Sequence, residues 1–350
     1  MKSASLAAFG TIFAASTIPA VAVPSGFAQQ ADKIVAKSWP ADGPGAAVIV
    51  TEGGKPVYER GRGLADLQAK TPITPATVFR IGSVTKQFAA ATLLQLVQEG
   101  KLSLDEPLTK FIPDYPQPGG SATVRQLLNH TSGIQSYTDI PGWMTEANVN
   151  KPYTTAQLVD VFKNLPSPAK PGDAWAYDNS GYILIGAIIE KMSGKPWYEA
   201  VRERIAVPLH LKTLRYGVGE EGVPHMAKGY RRDEDGSFKP AEKIHMSVPG
   251  AAGSLIATVG DLARWANALH HGKVVNEAIY KAMTTKTKTA DGKEFPYGFG
   301  LQLDQLRGHA TIGHGGGIFT QFTIETCTLA SPRQAILETA SVIVPPVFTM

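Results

Sequence analysis

The sequence predicts an α+β fold: an antiparallel sheet formed from both chain ends, flanked by helices, plus an inserted and mainly helical lobe. Three observations lead there. β-Rich runs lie early, at Gly45–Val50 and Val57–Arg60, around the Gly53-Gly54 turn. Helical periodicity dominates the middle of the chain. Strand patterns then return at Tyr297–Leu303 and Ala310–Gly313. A site is expected between the two lobes.

The elements follow in order. Lys2 precedes an apolar, alanine-rich stretch from Leu6 to Val23, with no acid before Asp32. Small residues at Ala20-Val21-Ala22 and Gly26-Phe27-Ala28 make residues 1–28 read as a signal peptide, cut after Ala22 or Ala28. Pro19 and Pro24 argue against a spanning helix, and no later stretch is apolar enough to cross a bilayer. The expectation is an exported protein, periplasmic or secreted, with one domain over 29–350. Its sheet lobe takes about 43–82 and 250–350, and its helical lobe about 83–249. Val84 to Glu99 reads as a helix with Ala90, Leu93, Leu94 and Val97 on one side and Gly100 as its stop. Gly181 to Met192 reads as another, with Tyr182, Ile185, Ile188 and Ile189 inward and Gly194 at its end. Asp261 reads as the N-cap of a helix over Leu262–Leu269.

Composition removes several function classes. At 350 residues and 43% hydrophobic, the chain can pack a core without a disulfide or metal staple. Thirty-four basic against thirty acidic residues, with no basic run, argue against nucleic acid as a partner. Abundant glycine and proline suit a loop-rich globular protein rather than a repeat array. The single cysteine, Cys327, excludes an intramolecular disulfide and a cysteine zinc site. His270 and His271 are adjacent, and adjacent helix positions do not share a face. Neither a metal nor a cofactor is expected.

Three motifs carry chemistry. In Ser83-Val84-Thr85-Lys86 the hydroxyl stands at a helix start and the amine one turn on, where a base activates a nucleophile. The helix N-terminus also favours a developing anion and lowers the lysine's proton affinity. With 18 serines and 22 lysines, roughly one Ser-x-x-Lys is expected by chance. The second, Ser167-Pro168-Ala169-Lys170, contains a proline and cannot be a helical turn. Taken alone, Ser83–Lys86 reads as a helix cap with a surface lysine. Tyr177-Asp178-Asn179 is less expected by chance. A phenol near a lysine can have its pKa lowered and shuttle protons, and an amide can hold a carbonyl; singly, the segment reads as an Asx-type turn. Gly313-His314-Gly315-Gly316-Gly317 lets a substrate backbone come close and can aim an N–H at an oxyanion, or is a plain tight turn.

Together and in this order, the three motifs resemble the serine β-lactamase and penicillin-binding-protein superfamily, its class C-type branch most of all. Secondary phrases agree: Phe79-Arg80-Ile81-Gly82, Leu127-Leu128-Asn129-His130-Thr131-Ser132-Gly133, Gly253-Ser254-Leu255 and Gly260-Asp261-Leu262-Ala263. The resemblance covers about 43–319 and implies a β-lactamase/transpeptidase-like fold. It makes Ser83 the acylated nucleophile, with Lys86 and Tyr177 sharing general acid–base work. Asn179, His314 and Gly316 would bind substrate, and the N–H groups of Ser83 and Gly317 would form the oxyanion hole. The implied activity is hydrolysis of a small ester, amide or peptide, carboxylesterase-like or D-amino-acid peptidase-like, an ester being favoured over a β-lactam. Alternatives are a class C-like β-lactamase, a D-alanyl-D-alanine carboxypeptidase, or a non-catalytic penicillin-recognising binding protein.

Two departures stand out. His314 replaces the lysine of the usual Lys-Thr-Gly, which removes a fixed cation for a substrate carboxylate; protonation near pH 6.5 would restore one. From about Thr320 the family pattern dissolves and no amphipathic terminal helix is legible. The tail is a natural variant, or the frame is shifted and the chain cut short, in which case one sheet face would lack its cover.

Overall fold

The structure is a computed structural model that describes residues 25–318, 323–330 and 338–344. The apolar stretch Leu6–Val23 and the last six residues lie outside those. The expected hairpin is present as β1 (Ala46–Glu52) and β2 (Lys55–Arg62). Late in the chain come β3 (Gln302–Leu306), β4 (His309–Gly316), β5 (Thr323–Ala330) and β6 (Glu338–Val344). They form one six-stranded antiparallel sheet in the order β3-β4-β5-β6-β1-β2. Ala47 faces Ile343 and Val50 faces Ala340, so the two chain ends meet along β1 and β6.

Two strand assignments differ from expectation. The first late strand starts at Gln302, while Tyr297 makes only an isolated bridge to Gln302. β5 and β6 fall where no strand pattern is legible. Their pairing is carried by main-chain hydrogen bonds to β4 and β1, which need no alternation of side chains.

Both faces of the hairpin are covered. Ala47 and Ile49 point into the main core. On the opposite face Val48 and Tyr58 pack with Val35 of α1 (Phe27–Ser38). Asp32 of that helix accepts hydrogen bonds from the Tyr58 hydroxyl at 2.9 Å and from Arg60 Nε at 3.0 Å. α1 thus covers this face of the hairpin.

Ser83 lies in a 3₁₀ turn (Gly82–Val84) that runs into α2 (Thr85–Gln98). Leu93 and Leu94 are buried as expected, but so is nearly everything from Thr85 to Leu94, including Lys86 and Gln87. A helix enclosed on all sides has no polar face to show to water. Gly100 leaves α2 at φ +70°, as its stop signal implies. α3 (Asn179–Ser193) buries Tyr182, Ile185, Ile188 and Ile189 and ends at Gly194 in the left-handed conformation. α4 (Val259–His270) begins earlier than expected, and its N-cap is Thr258, not Asp261. The Thr258 hydroxyl accepts the Asp261 N–H. The buried Asp261 carboxylate turns instead to Thr213, accepting from its N–H and hydroxyl at 2.6 Å.

Candidate active site

Two contacts fix the turn that holds Ser83. The Ile81 N–H donates to the Leu255 carbonyl at 3.0 Å, and the Leu255 N–H donates to the Thr85 hydroxyl at 3.1 Å. β4 presses on the other side. A Cβ on Gly316 would stand 2.2 Å from the Ile81 carbonyl oxygen and 2.9 Å from Ser83 N. Gly82 has φ +50°, and a Cβ there would meet Gly317 N at 2.8 Å. Gly316 therefore lets the strand touch the turn that holds Ser83; it is buried and is not among the residues that line the cavity at Ser83. Gly316→Ala should cost about 1–3 kcal/mol, because backbone atoms cannot yield as a side chain does, and should slow the reaction at Ser83. Denaturant midpoints and turnover measured together check this.

Lys86 is fully buried. Its Nζ lies 3.1 Å from Ser83 Oγ, 2.8 Å from Asn179 Oδ1 and 3.0 Å from the Ala252 carbonyl oxygen. Burial, only partly offset by the Asp178 charge, brings its pKa down to about 7. Burial is thus the main cause, ahead of the helix dipole invoked from the sequence. The geometry also fixes the neutral amine. The Asn179 oxygen and the Ala252 carbonyl can only accept, so they take its two N–H groups and the lone pair faces the Ser83 hydroxyl.

Tyr177 lies beside Ser83, and its ring centroid lies 4.8 Å from Lys86 Nζ. Its pKa is raised, chiefly by burial, while the Ser83 contact acts the other way. The lowered phenol expected from the sequence is not found, so Tyr177 stays protonated at neutral pH. Asn179 opens α3, where the Asp178 carboxylate caps the helix by accepting the Gly181 N–H at 3.0 Å. Asn179 Nδ2 donates to the Thr138 hydroxyl at 3.1 Å, which orients its oxygen toward Lys86.

His314 is buried and is not among the residues that line the cavity at Ser83. The Gly315 carbonyl accepts from its Nδ1, so its Nε2 accepts from the Tyr297 hydroxyl at 2.9 Å. Burial, and next the Lys86 charge, push its pKa down to about 3. It supplies no cation at any physiological pH.

Ser83, Asn179 and Gly317 share a cavity of about 110 Å³. Met144, Ile244, Val248 and Ile318 give it an apolar wall, and Tyr137 and Thr138 close one side. A larger cavity of about 760 Å³, beside Arg80, Glu220 and Lys228, holds none of the motif residues. Sequence reading missed Tyr137, Thr138, Tyr297 and Ala252. Ala252 acts through its carbonyl, which leaves no mark in the sequence. Only its neighbour Gly253-Ser254 stood out as a phrase. Ser167 and Lys170, set aside on the sequence, do not line the Ser83 cavity.

An α+β fold with a serine and a buried lysine at the head of a buried helix is that of β-lactamases and penicillin-binding proteins. The chain belongs to the Beta-lactamase family, which its residues 31–326 match. It is 28% identical over 286 residues to penicillin-binding protein 4* of Bacillus subtilis, covering 77% of this chain and 62% of that protein. It is 30% identical over 282 residues to a D-aminopeptidase of Brucella suis, covering 79% and 52% respectively. The chain thus spans between half and two thirds of the length of these relatives. Among solved structures, a D-stereospecific amidohydrolase from Streptomyces sp. superposes with TM-score 0.72 at 29% identity, covering 91% of this chain and 93% of that one. The octameric penicillin-binding protein homologue from Pyrococcus abyssi gives 0.76 at 27%, covering 92% and 74%.

Proposed function

We propose that this chain is an exported serine hydrolase that opens small amide, peptide or ester bonds through an acyl-enzyme on Ser83. The observation that carries the reading is the buried Lys86 amine, 3.1 Å from Ser83 Oγ with its pKa near 7. Neutral Lys86 takes the Ser83 proton as Oγ attacks the carbonyl carbon. The N–H groups of Ser83 and Gly317 receive the oxyanion. Tyr177, protonated and beside Ser83, relays a proton to the leaving nitrogen or oxygen. Asn179 holds Lys86 on one side and faces the cavity on the other. Water, activated by the same lysine, then releases the acyl group.

The names of the relatives, D-aminopeptidase and D-stereospecific amidohydrolase, favour D-amino-acid amides or short peptides as substrates. The motif order favours the class C-type branch. Export is supported by Lys2 and the apolar stretch behind it. Cleavage after Ala22 suits the fold better than after Ala28, because it keeps Phe27, whose ring stands edge-on to Tyr58 at 6.2 Å.

The test is a panel of D- and L-phenylalanine amides, a p-nitrophenyl ester and nitrocefin on purified protein. Hydrolysis of an amide or ester with accumulation of acyl-protein supports the reading; penicillin binding without turnover of any of them refutes it. His314 sharpens the expectation. Without a cation there, a carboxylate-bearing β-lactam loses a charge-assisted bond of about 1.5–3 kcal/mol. Because His314 titrates only at about 3, acid does not restore that cation. Between pH 7 and pH 5 both substrates should slow alike as Lys86 gains its proton. The ratio of their kcat/KM values should stay constant, against the narrowing expected of a histidine that titrates near 6.5.

A further inference from the structure

The phrase Leu127–Gly133 has no part in the chemistry so far, yet it holds a buried histidine beside the reacting groups. His130 is 2% exposed and has φ +65°, a left-handed conformation uncommon for residues other than glycine. What it does there is specific. Its carbonyl accepts the Ala176 N–H at 3.0 Å, and its Nδ1 accepts the Asp178 N–H at 3.0 Å. The two grips bracket a single residue, Tyr177. The imidazole ring then lies against the Tyr177 ring, centroids 4.5 Å apart, and against Tyr297 at 4.6 Å on its way to His314.

We infer that His130 is a positioning residue for Tyr177, holding the main chain on both sides of it and backing its ring, so that the phenol stands at Ser83. The inference rests on the proton-relay role proposed for Tyr177. Since Nδ1 accepts, the imidazole must be neutral with its proton on Nε2. Burial, and next the Lys86 charge, hold its pKa well below the ordinary value, which agrees with a neutral ring. An apolar residue of similar size would fill the space but could not take the Asp178 N–H. A glycine would suit the backbone but would leave Tyr177 without its backing ring.

The experiment is a double-mutant cycle on the full chain. His130→Asn tolerates the left-handed backbone and removes the ring. It should lower kcat by about 10- to 100-fold with KM within about threefold, as expected when a reacting group is displaced by about 1 Å. In a Tyr177→Phe background, where the hydroxyl is already gone, the same substitution should cost less than about threefold. Equal fold losses in both backgrounds would overturn the proposal, as would an unchanged kcat in the single variant. Should His130→Asn not fold, His130→Gly repeats the cycle, and failure of both to fold makes His130 a core residue and ends the idea. Full activity in Tyr177→Phe refutes the relay itself and this inference with it. Strong dependence on Tyr177 with additive losses refutes only the part given to His130.

Discussion

Ser83→Ala is expected to abolish acylation, lowering turnover by ~10³-fold or more. Among the described residues Ser83 joins the three features that the proposed nucleophile requires. It stands in a turn held on one face by Leu255 and on the other by Gly316. It faces a buried amine at 3.1 Å, and it opens onto the cavity shared with Asn179 and Gly317. The change removes one oxygen atom from a well-packed turn, so the fold should be unaffected. Ser167→Ala serves as the control. It alters the other Ser-x-x-Lys, which does not line the cavity, and should leave turnover within about twofold. Equal loss in the two variants would show that the effect is not chemical.

Lys86→Met is expected to cost ~10²–10⁴-fold in acylation, the range of a general base. Methionine keeps the unbranched stem and fills the buried channel, but has no lone pair of comparable basicity. It leaves the Asn179 oxygen and the Ala252 carbonyl without their donor, so a stability loss of about 1–3 kcal/mol should accompany it. The pH profile separates the lysine's chemistry from its packing. With neutral Lys86 as the proposed base, the wild-type acylation rate should rise with pH through about 7 and level off above it. About a tenth of the amine is neutral at pH 6 and about nine tenths at pH 8. The Met variant should lose that limb and keep a flat residual rate. A variant that retains a limb near 7 would place the base elsewhere.

Much of this site was legible in the sequence, and the reasons differ by residue. Ser83–Lys86 and Asp178–Asn179 sit at helix starts, where local spacing dictates which side chains share a face. The hairpin was legible because its alternation and glycine turn are local as well. Asp261 misled because Thr258 stands three residues earlier and takes the capping position, which frees the aspartate for a buried contact with Thr213. β5 and β6 were hidden because ladder hydrogen bonds belong to the backbone. The two pKa expectations failed for one reason. The sequence shows which charges are near in the chain but not how dry the surroundings are, and burial dominates at both Tyr177 and His314. His130 appeared only as part of a phrase, since its partners lie about 48 residues away.

The central claim is a covalent acyl-enzyme on Ser83 formed by a lysine that is neutral above pH 7. Rapid mixing with a slowly released p-nitrophenyl ester, quenching, and intact mass with peptide mapping tests it most directly. The account predicts one added acyl group on the peptide that contains Ser83, appearing faster at pH 8 than at pH 6. It predicts none in Ser83→Ala and almost none on that timescale in Lys86→Met. Turnover without an adduct, or an adduct on any other residue, would contradict it.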